Sequence, residues 1–187
     1  MKKIIHGSCY IVGDDIDTDQ IIPAQYLTYN PAIPEERKVF GRFAMSGLPE
    51  KSRGLPFGGI PFVKEDEWKS EYKILVAGSN FGCGSSREHA SICLKEAGIE
   101  ACIAEFYSRI FFRNSVNGGY LIPFETENRL CDKIKTGDEL EIDVENHRVK
   151  NLRSGEQFFL KPIGEVLPII EAGDIFQYAK QKGMTKL

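Results

Sequence analysis

A single domain of the α/β class is what this sequence predicts, and three features predict it. Two short apolar runs, residues 72–78 and 101–105, have the form of buried strands. Each is followed by a stretch of helical period that closes on glycine, so the middle of the chain reads as a βαβα unit. The 187 residues, 42% hydrophobic and 27% charged, fit one globular core on a prior of about 150 residues per domain. That composition disfavours disorder, collagen-like repeats and low-complexity sequence.

Taken in order, residues 4–12 mix β-branched and aromatic side chains and stop at Gly13, giving a strand and a turn. The next segment carries Asp14, Asp15, Asp17 and Asp19 and reads as a loop of Asx-turns with a cap on a short following helix. A calcium EF-hand is rejected there, because Gln20 and Tyr26 stand where glycine and glutamate are required. From 29 to 72 the prolines 31, 34, 49, 56 and 61 interrupt any periodicity, which predicts a long excursion with short elements at best. A helix is expected from Ser86, with Ala90, Cys93, Leu94 and Ala97 on one face and Gly98 as its stop. A second runs over 108–116 and ends at Gly118 and Gly119. Beyond Pro123, residues 139–144, 148–152 and 157–160 read as short strands, the last two separated by a turn at Arg153, Ser154 and Gly155. The chain closes in helical sequence around 175–182, and no internal repeat is visible.

Charge and cysteine usage narrow the classes of function. Twenty-four basic against 27 acidic residues leave a net charge of −3, which lacks the positive field that a nucleic acid surface needs. No run approaches the ~20 apolar residues required to cross a bilayer, and the N-terminal residues show no signal-peptide pattern. A cytoplasmic protein that meets neither membrane nor nucleic acid is therefore expected. Cys9, Cys83, Cys93, Cys102 and Cys131 are an odd set without CxxC or a His/Cys cluster, so neither disulfides nor a metal or cluster held by this chain is expected.

The chemistry concentrates in residues 78–90, between a predicted strand and a predicted helix. Gly78, Gly82 and Gly84 permit close backbone approach, and a helix start turns free N–H groups outward. The backbone of Gly82, Cys83 and Gly84 with the hydroxyls of Ser85 and Ser86 and the guanidinium fork of Arg87 makes a candidate anion-binding loop. The alternative is a Ser-Ser cap on an ordinary helix. A P-loop is excluded by the missing Gly-Lys-Ser/Thr, a dinucleotide fingerprint by the missing third glycine, and a nucleophile elbow by the missing Gly-x-Ser-x-Gly. Cys83 is a possible nucleophile beside a helix start, against the commoner spectator thiol. His6 and His147 read as surface or packing residues, and His89 as a structural hydrogen-bonding residue.

The run Asn80-Phe-Gly-Cys-Gly-Ser-Ser-Arg-Glu-His-Ala90, preceded by Asp15-Ile-Asp-Thr-Asp-Gln-Ile-Ile-Pro23 and followed by Ser108-Arg-Ile-Phe-Phe-Arg-Asn-Ser115, resembles the swivel domain of the aconitase superfamily. Within it the chain is most similar to the small-subunit family of the 3-isopropylmalate dehydratases, over nearly its whole length. The resemblance implies a swivelling β/β/α domain over residues 1–187. It implies a hydro-lyase that removes and re-adds water across a carbon pair of a hydroxy-dicarboxylate, in leucine synthesis. By resemblance Ser85 is the catalytic base, and Ser86 and Arg87 hold a substrate carboxylate. The Lewis acid is implied to be a [4Fe-4S] cluster on a large subunit, without which this chain is inactive, and the 29–72 excursion is a candidate for contacting that partner.

Substrate choice is expected at Tyr26, Leu27, Thr28 and Tyr29. Relatives acting on tricarboxylates carry arginine in this loop, and none stands here, so Leu27 offers a neutral surface to an isopropyl group. Against this, Leu27 is core and Arg37 or Arg42 reaches into the site, which keeps homoaconitate-type acids open. Citraconate or methylmalate and 2,3-dimethylmalate also remain open, as does a non-catalytic carboxylate-binding module. RNA binding, known for some aconitase relatives, is weakened by the net charge and the lack of aromatic–basic interleaving.

Overall fold

The computed structural model describes residues 3–184. Its strands are β1 (Ile4–Ile11), β2 (Ile74–Val76), β3 (Ala101–Ala104), β4 (Ile122–Glu125), β5 (Glu139–Asp143), β6 (Arg148–Asn151) and β7 (Gln157–Phe159). Its helices are α1 (Thr18–Ile21), α2 (Pro34–Arg42), α3 (Glu88–Glu96), α4 (Arg109–Asn117), α5 (Leu167–Ala172) and α6 (Ile175–Gln181). The strands lie in the order β4-β3-β2-β1-β5-β6-β7. The β4 to β1 half is parallel and the β1 to β7 half antiparallel.

β1 joins the halves by dividing its own length. Its first five residues, Ile4 to Ser8, pair with β5, whereas Cys9 to Ile11 pair with β2. Alternation along the strand then assigns its side chains to two cores. Tyr10 and Val12 face a cluster shared with Phe40, Leu94 and Phe111 of the helices. Ile5, Cys9 and Ile11 face a second cluster that takes Ile74, Ile103 and Phe124 from the parallel half and Leu140, Ile142 and Val149 from the antiparallel half. The parallel strands are thus buried on both faces, as near-continuous apolar runs require. The chain is a single β/β/α domain of helices, parallel strands and a curled antiparallel layer.

Several elements differ from the sequence expectations, and proline accounts for most of the differences. The 29–72 excursion contains the nine-residue helix α2, because Pro34 occupies its first turn, where a missing N–H costs nothing. A Cβ at Gly41 would stand 2.7 Å from the Glu96 carbonyl carbon, so this glycine lets α2 approach α3. β4 was not expected, yet Pro123 sits in it at the edge of the sheet, a position that tolerates a lost donor. α5 was also unexpected and carries Pro168 in its first turn. The helix expected from Ser86 begins at Glu88, with Arg87 in extended conformation as its N-cap and no side-chain cap.

Tyr107 ties the parallel edge together. Its buried hydroxyl lies 2.8 Å from the Cys102 carbonyl and 2.9 Å from the Phe124 carbonyl, bridging the β3 and β4 segments, and burial raises its pKa well above the ordinary value. Tyr107→Phe removes the one buried hydroxyl donor that these carbonyls share, a loss of about 0.5–1.5 kcal/mol. Urea unfolding should show a lower midpoint with an unchanged slope.

Candidate active-site loop

The parallel strands end at one edge of the sheet, and the loops after β1, β2 and β3 meet there, the usual position for ligand sites in parallel α/β sheets. Backbone pairing fuses the first two loops. Gly82 N–H donates to the Ile16 carbonyl at 2.8 Å, and Thr18 N–H to the Cys83 carbonyl at 2.9 Å. Thr18, almost fully buried, adds a hydroxyl hydrogen bond to the Ser85 carbonyl at 3.3 Å. The third loop closes the other side, with Phe81 N–H donating to the Phe106 carbonyl and the Ser108 hydroxyl to the Gly82 carbonyl at 2.5 Å. Gly82 and Gly84 carry φ of 77° and 87°, a region that glycine enters without strain.

The four aspartates brace this assembly. Asp14 accepts from Ser79 N–H at 2.7 Å and pairs with Arg129, and Asp15 accepts from the Asn80 amide at 2.8 Å. Asp17 caps α1 in a reciprocal capping box with Gln20, so the expected cap is present. Asp19 forms a charge-assisted hydrogen bond at 2.5 Å with Arg87, whose side chain is only 19% exposed. Sequence reasoning assigned these residues to turns and caps, and missed Thr18, Asp19 and the Asp14–Arg129 pair as supports of the loop. The signal available was the density of aspartates at alternating positions.

The structure brings Gly82, Cys83, Gly84, Ser85, Ser86 and Arg87 together on one rim. The backbone amides of Gly84, Ser85, Ser86 and Arg87 have no acceptor among the described residues, and neither serine hydroxyl has a partner there. Ser85 and Ser86 are exposed and take no part in capping, which corrects the alternative of an ordinary Ser-Ser cap. Successive free N–H groups beside two hydroxyls and a guanidinium can hold a carboxylate. Burial, with nearby Asp17 and Asp15, raises the pKa of the Cys83 thiol, which disfavours the thiolate form a nucleophile needs. Among the described residues no cluster of three or more His, Cys, Asp and Glu can hold a metal ion, and the five cysteines are free. His6 faces Glu139, His89 packs against Phe40 and His147 lies in the turn after β5.

Tyr26, Leu27, Thr28 and Tyr29 follow α1 in the chain. They span a short 3-10 helix and its C-terminal cap. Tyr26 and Leu27 are half-buried against the main core, with Tyr26 stacked on Phe43 at 3.9 Å, while Thr28 and Tyr29 are exposed. Leu27 is therefore partly a packing residue. Arg37 and Arg42 are engaged elsewhere, the first with Glu96 at 2.6 Å and the second with the Glu65 carbonyl and the Trp68 ring.

The aconitase C-terminal domain family matches residues 50–129. Over 98% of its length the chain is 47% identical to the 3-isopropylmalate dehydratase small subunit 1 of Arabidopsis thaliana, covering 71% of that protein. It is 39% identical to the isopropylmalate/citramalate isomerase small subunit of Methanocaldococcus jannaschii, with 97% of each chain covered. A crystal structure of 3-isopropylmalate dehydratase from the same organism aligns with a TM-score of 0.76 at 35% identity, over 97% of this chain and 96% of that one.

Two measurements check the bracing. A Cβ at Gly82 would collide with the Phe111 ring, whereas one at Gly84 meets Asp17 at 3.4 Å. Gly82→Ala should therefore lower the melting temperature considerably more than Gly84→Ala. The second concerns acid. Hydrogen bonds from Arg129 and from Ser79 N–H hold Asp14 at about 2, below its ordinary 3.8. Its stabilisation is complete above the ordinary value and fades as pH falls toward about 2, so stability measured across that window should decline less steeply in Asp14→Asn.

Proposed function

Because the chain belongs to the family of 3-isopropylmalate dehydratase small subunits, within the aconitase superfamily, we propose that it completes a hydro-lyase that interconverts 2-isopropylmalate and 3-isopropylmalate in leucine biosynthesis. The observation that carries this reading is the rim at 82–87, where free amides, two uncommitted hydroxyls and a braced arginine follow one another along the chain. The enzyme works with a large subunit. A [4Fe-4S] cluster fits nothing in the described part of this chain, and we assign it to that partner, where it would supply Lewis-acid assistance to the departing hydroxide.

This chain's contribution is to bind one carboxylate and to move one proton. Arg87 uses one nitrogen for Asp19 and retains other N–H groups for the substrate carboxylate. The pairing with Asp19 fixes the guanidinium before substrate arrives, which lowers the ordering cost of binding. Ser86 adds a hydroxyl to the same carboxylate. Ser85 acts as an alkoxide whose charge the neighbouring amides stabilise; its Oγ takes the proton α to the carboxylate and becomes a neutral hydroxyl, while the negative charge passes to the aci-carboxylate held by Ser86 and Arg87. Serine is a weak base in water, and Ser85 is exposed in the single chain, so proton transfer requires the partner to cover the rim. Leu27, without an arginine within 26–29, suits an uncharged side group. We place the reaction in the cytoplasm, a reading supported by the five free cysteines; no helix among the described residues is long and apolar enough to cross a membrane.

A second reading is favoured by one comparison. The relative from Methanocaldococcus jannaschii is named for both isopropylmalate and citramalate, and this chain is 39% identical to it. A pocket distinguishing alkyl groups by one or two carbons discriminates by only about 1–3 kcal/mol per methylene. Dual use of isopropylmalate and a methyl-substituted malate is thus compatible with this site.

Anaerobic assembly with a cluster-loaded large subunit, followed by assays on isopropylmalate, citramalate, citrate and homocitrate, tests both readings. Turnover of isopropylmalate should need both chains, and Ser85→Ala should reduce kcat by about 10²- to 10⁴-fold with little change in KM. Arg87→Lys should raise KM, since the planar fork is lost. Leu27→Arg should shift preference toward the tricarboxylates. Turnover of citrate or homocitrate alone by the wild type would overturn the assignment at Leu27.

A further inference from the structure

We infer that the N-terminal face of α4 and the loop before it form the surface on which the large subunit docks, through an apolar centre bordered by carboxylates on the partner. The inference rests on the subunit role proposed above and adds the place and chemistry of contact. Phe106 and Ile110 are 49% and 46% exposed, although each is a large apolar side chain. Arg109 and Arg113 flank Ile110 at helical spacing, so the three share one exposed strip.

The electrostatics of this strip are unfavourable in the isolated chain. Arg109 is the first residue of α4, where the helix dipole disfavours a cation, and the first turn contains no acidic residue. Arg113 lies one turn further on and adds like-charge repulsion. Neither guanidinium has a partner among the described residues, and nearby Glu105 is already paired with Arg129. Arg37, Arg42 and Arg53 of the 29–72 excursion are by contrast all engaged within the chain, which makes the excursion the weaker candidate for this contact. An apolar surface rimmed by aspartate or glutamate would cover Phe106 and Ile110 and neutralise both arginines together.

Its position agrees with the chemistry. Phe106 accepts from Phe81 N–H, and Ser108, immediately before Arg109, is bonded through backbone and hydroxyl to Phe81 and Gly82. A partner seated on this strip therefore meets the rim that carries Ser85 and Arg87, which must be closed from water.

The test measures association of the full small subunit with the cluster-loaded large subunit under anaerobic conditions by titration calorimetry. The variants are Arg109→Glu/Arg113→Glu, Ile110→Ser, Ser85→Ala, and Phe176→Ser on α6, an exposed apolar side chain outside the strip. The charge reversal and Ile110→Ser should each weaken association at least tenfold, and the charge reversal should also reduce its salt dependence. Ser85→Ala and Phe176→Ser should bind as wild type. The free charge-reversed chain should melt no lower than wild type, because glutamate suits a helix N-terminus, so a loss of binding is not a loss of fold. Unchanged association in the strip variants, or weakening confined to Phe176→Ser, overturns the docking site while leaving the subunit role intact. A wild-type chain that neither binds a large subunit nor turns over any of the acids with it overturns the functional reading and the docking proposal together.

Discussion

Two backbone hydrogen bonds between the loops after β1 and β2 set the position of the candidate site. They join Gly82 to Ile16 and Thr18 to Cys83, and each partner follows directly from a strand of the parallel sheet. The sheet fixes where the loops begin, and the pairing fixes where they go. Glycine at 82 is required on two counts, a positive φ and the Phe111 ring beneath it. Once the loops are fused, Ser85, Ser86 and Arg87 have one course available, outward past Thr18 and Asp19. Side chains that remain exposed are thereby placed by groups that are buried, which is how a rigid scaffold carries a reactive loop.

The acidic segment shows how one composition can serve two purposes. Asp17 acts locally, capping a helix, while Asp14, Asp15 and Asp19 act across the fold on residues more than sixty positions away. Local action is visible in a sequence because the partner lies within a turn. Distant action is not, because the partner is defined only when the strands align. The resemblance of 80–90 to the aconitase superfamily pointed to Ser85 and Arg87 as candidate site residues, but the bracing had to be seen in three dimensions.

The elements that sequence reading found and missed divide along similar lines. The βαβα unit, the three late strands and the last helix were legible because their apolar period is strong and glycines or turns bound them. α2 was missed because Pro34 was taken as an interruption, and β4 and α5, for which no element was expected, each contain a proline as well. Proline breaks an element only where its missing donor or its ring conflicts with a neighbour. At the first turn of a helix or on an edge strand it does neither. Leu27 marks a different limit: the side chain half-buries against the core in the segment expected to meet substrate, a position at which sequence cannot separate packing from recognition.

β1 has a consequence for how the molecule comes apart. Because one strand passes its hydrogen bonding from β5 to β2 midway along its length, the antiparallel layer is attached to the parallel layer through that strand and the shared core. The β6 and β7 edge can open in a fluctuation that leaves the β1–β2 pairing whole, so exchange of the ladder amides spreads inward from β7 toward β1. The antiparallel layer is thus a margin whose partial opening leaves the Gly82–Ile16 and Thr18–Cys83 pairings in place.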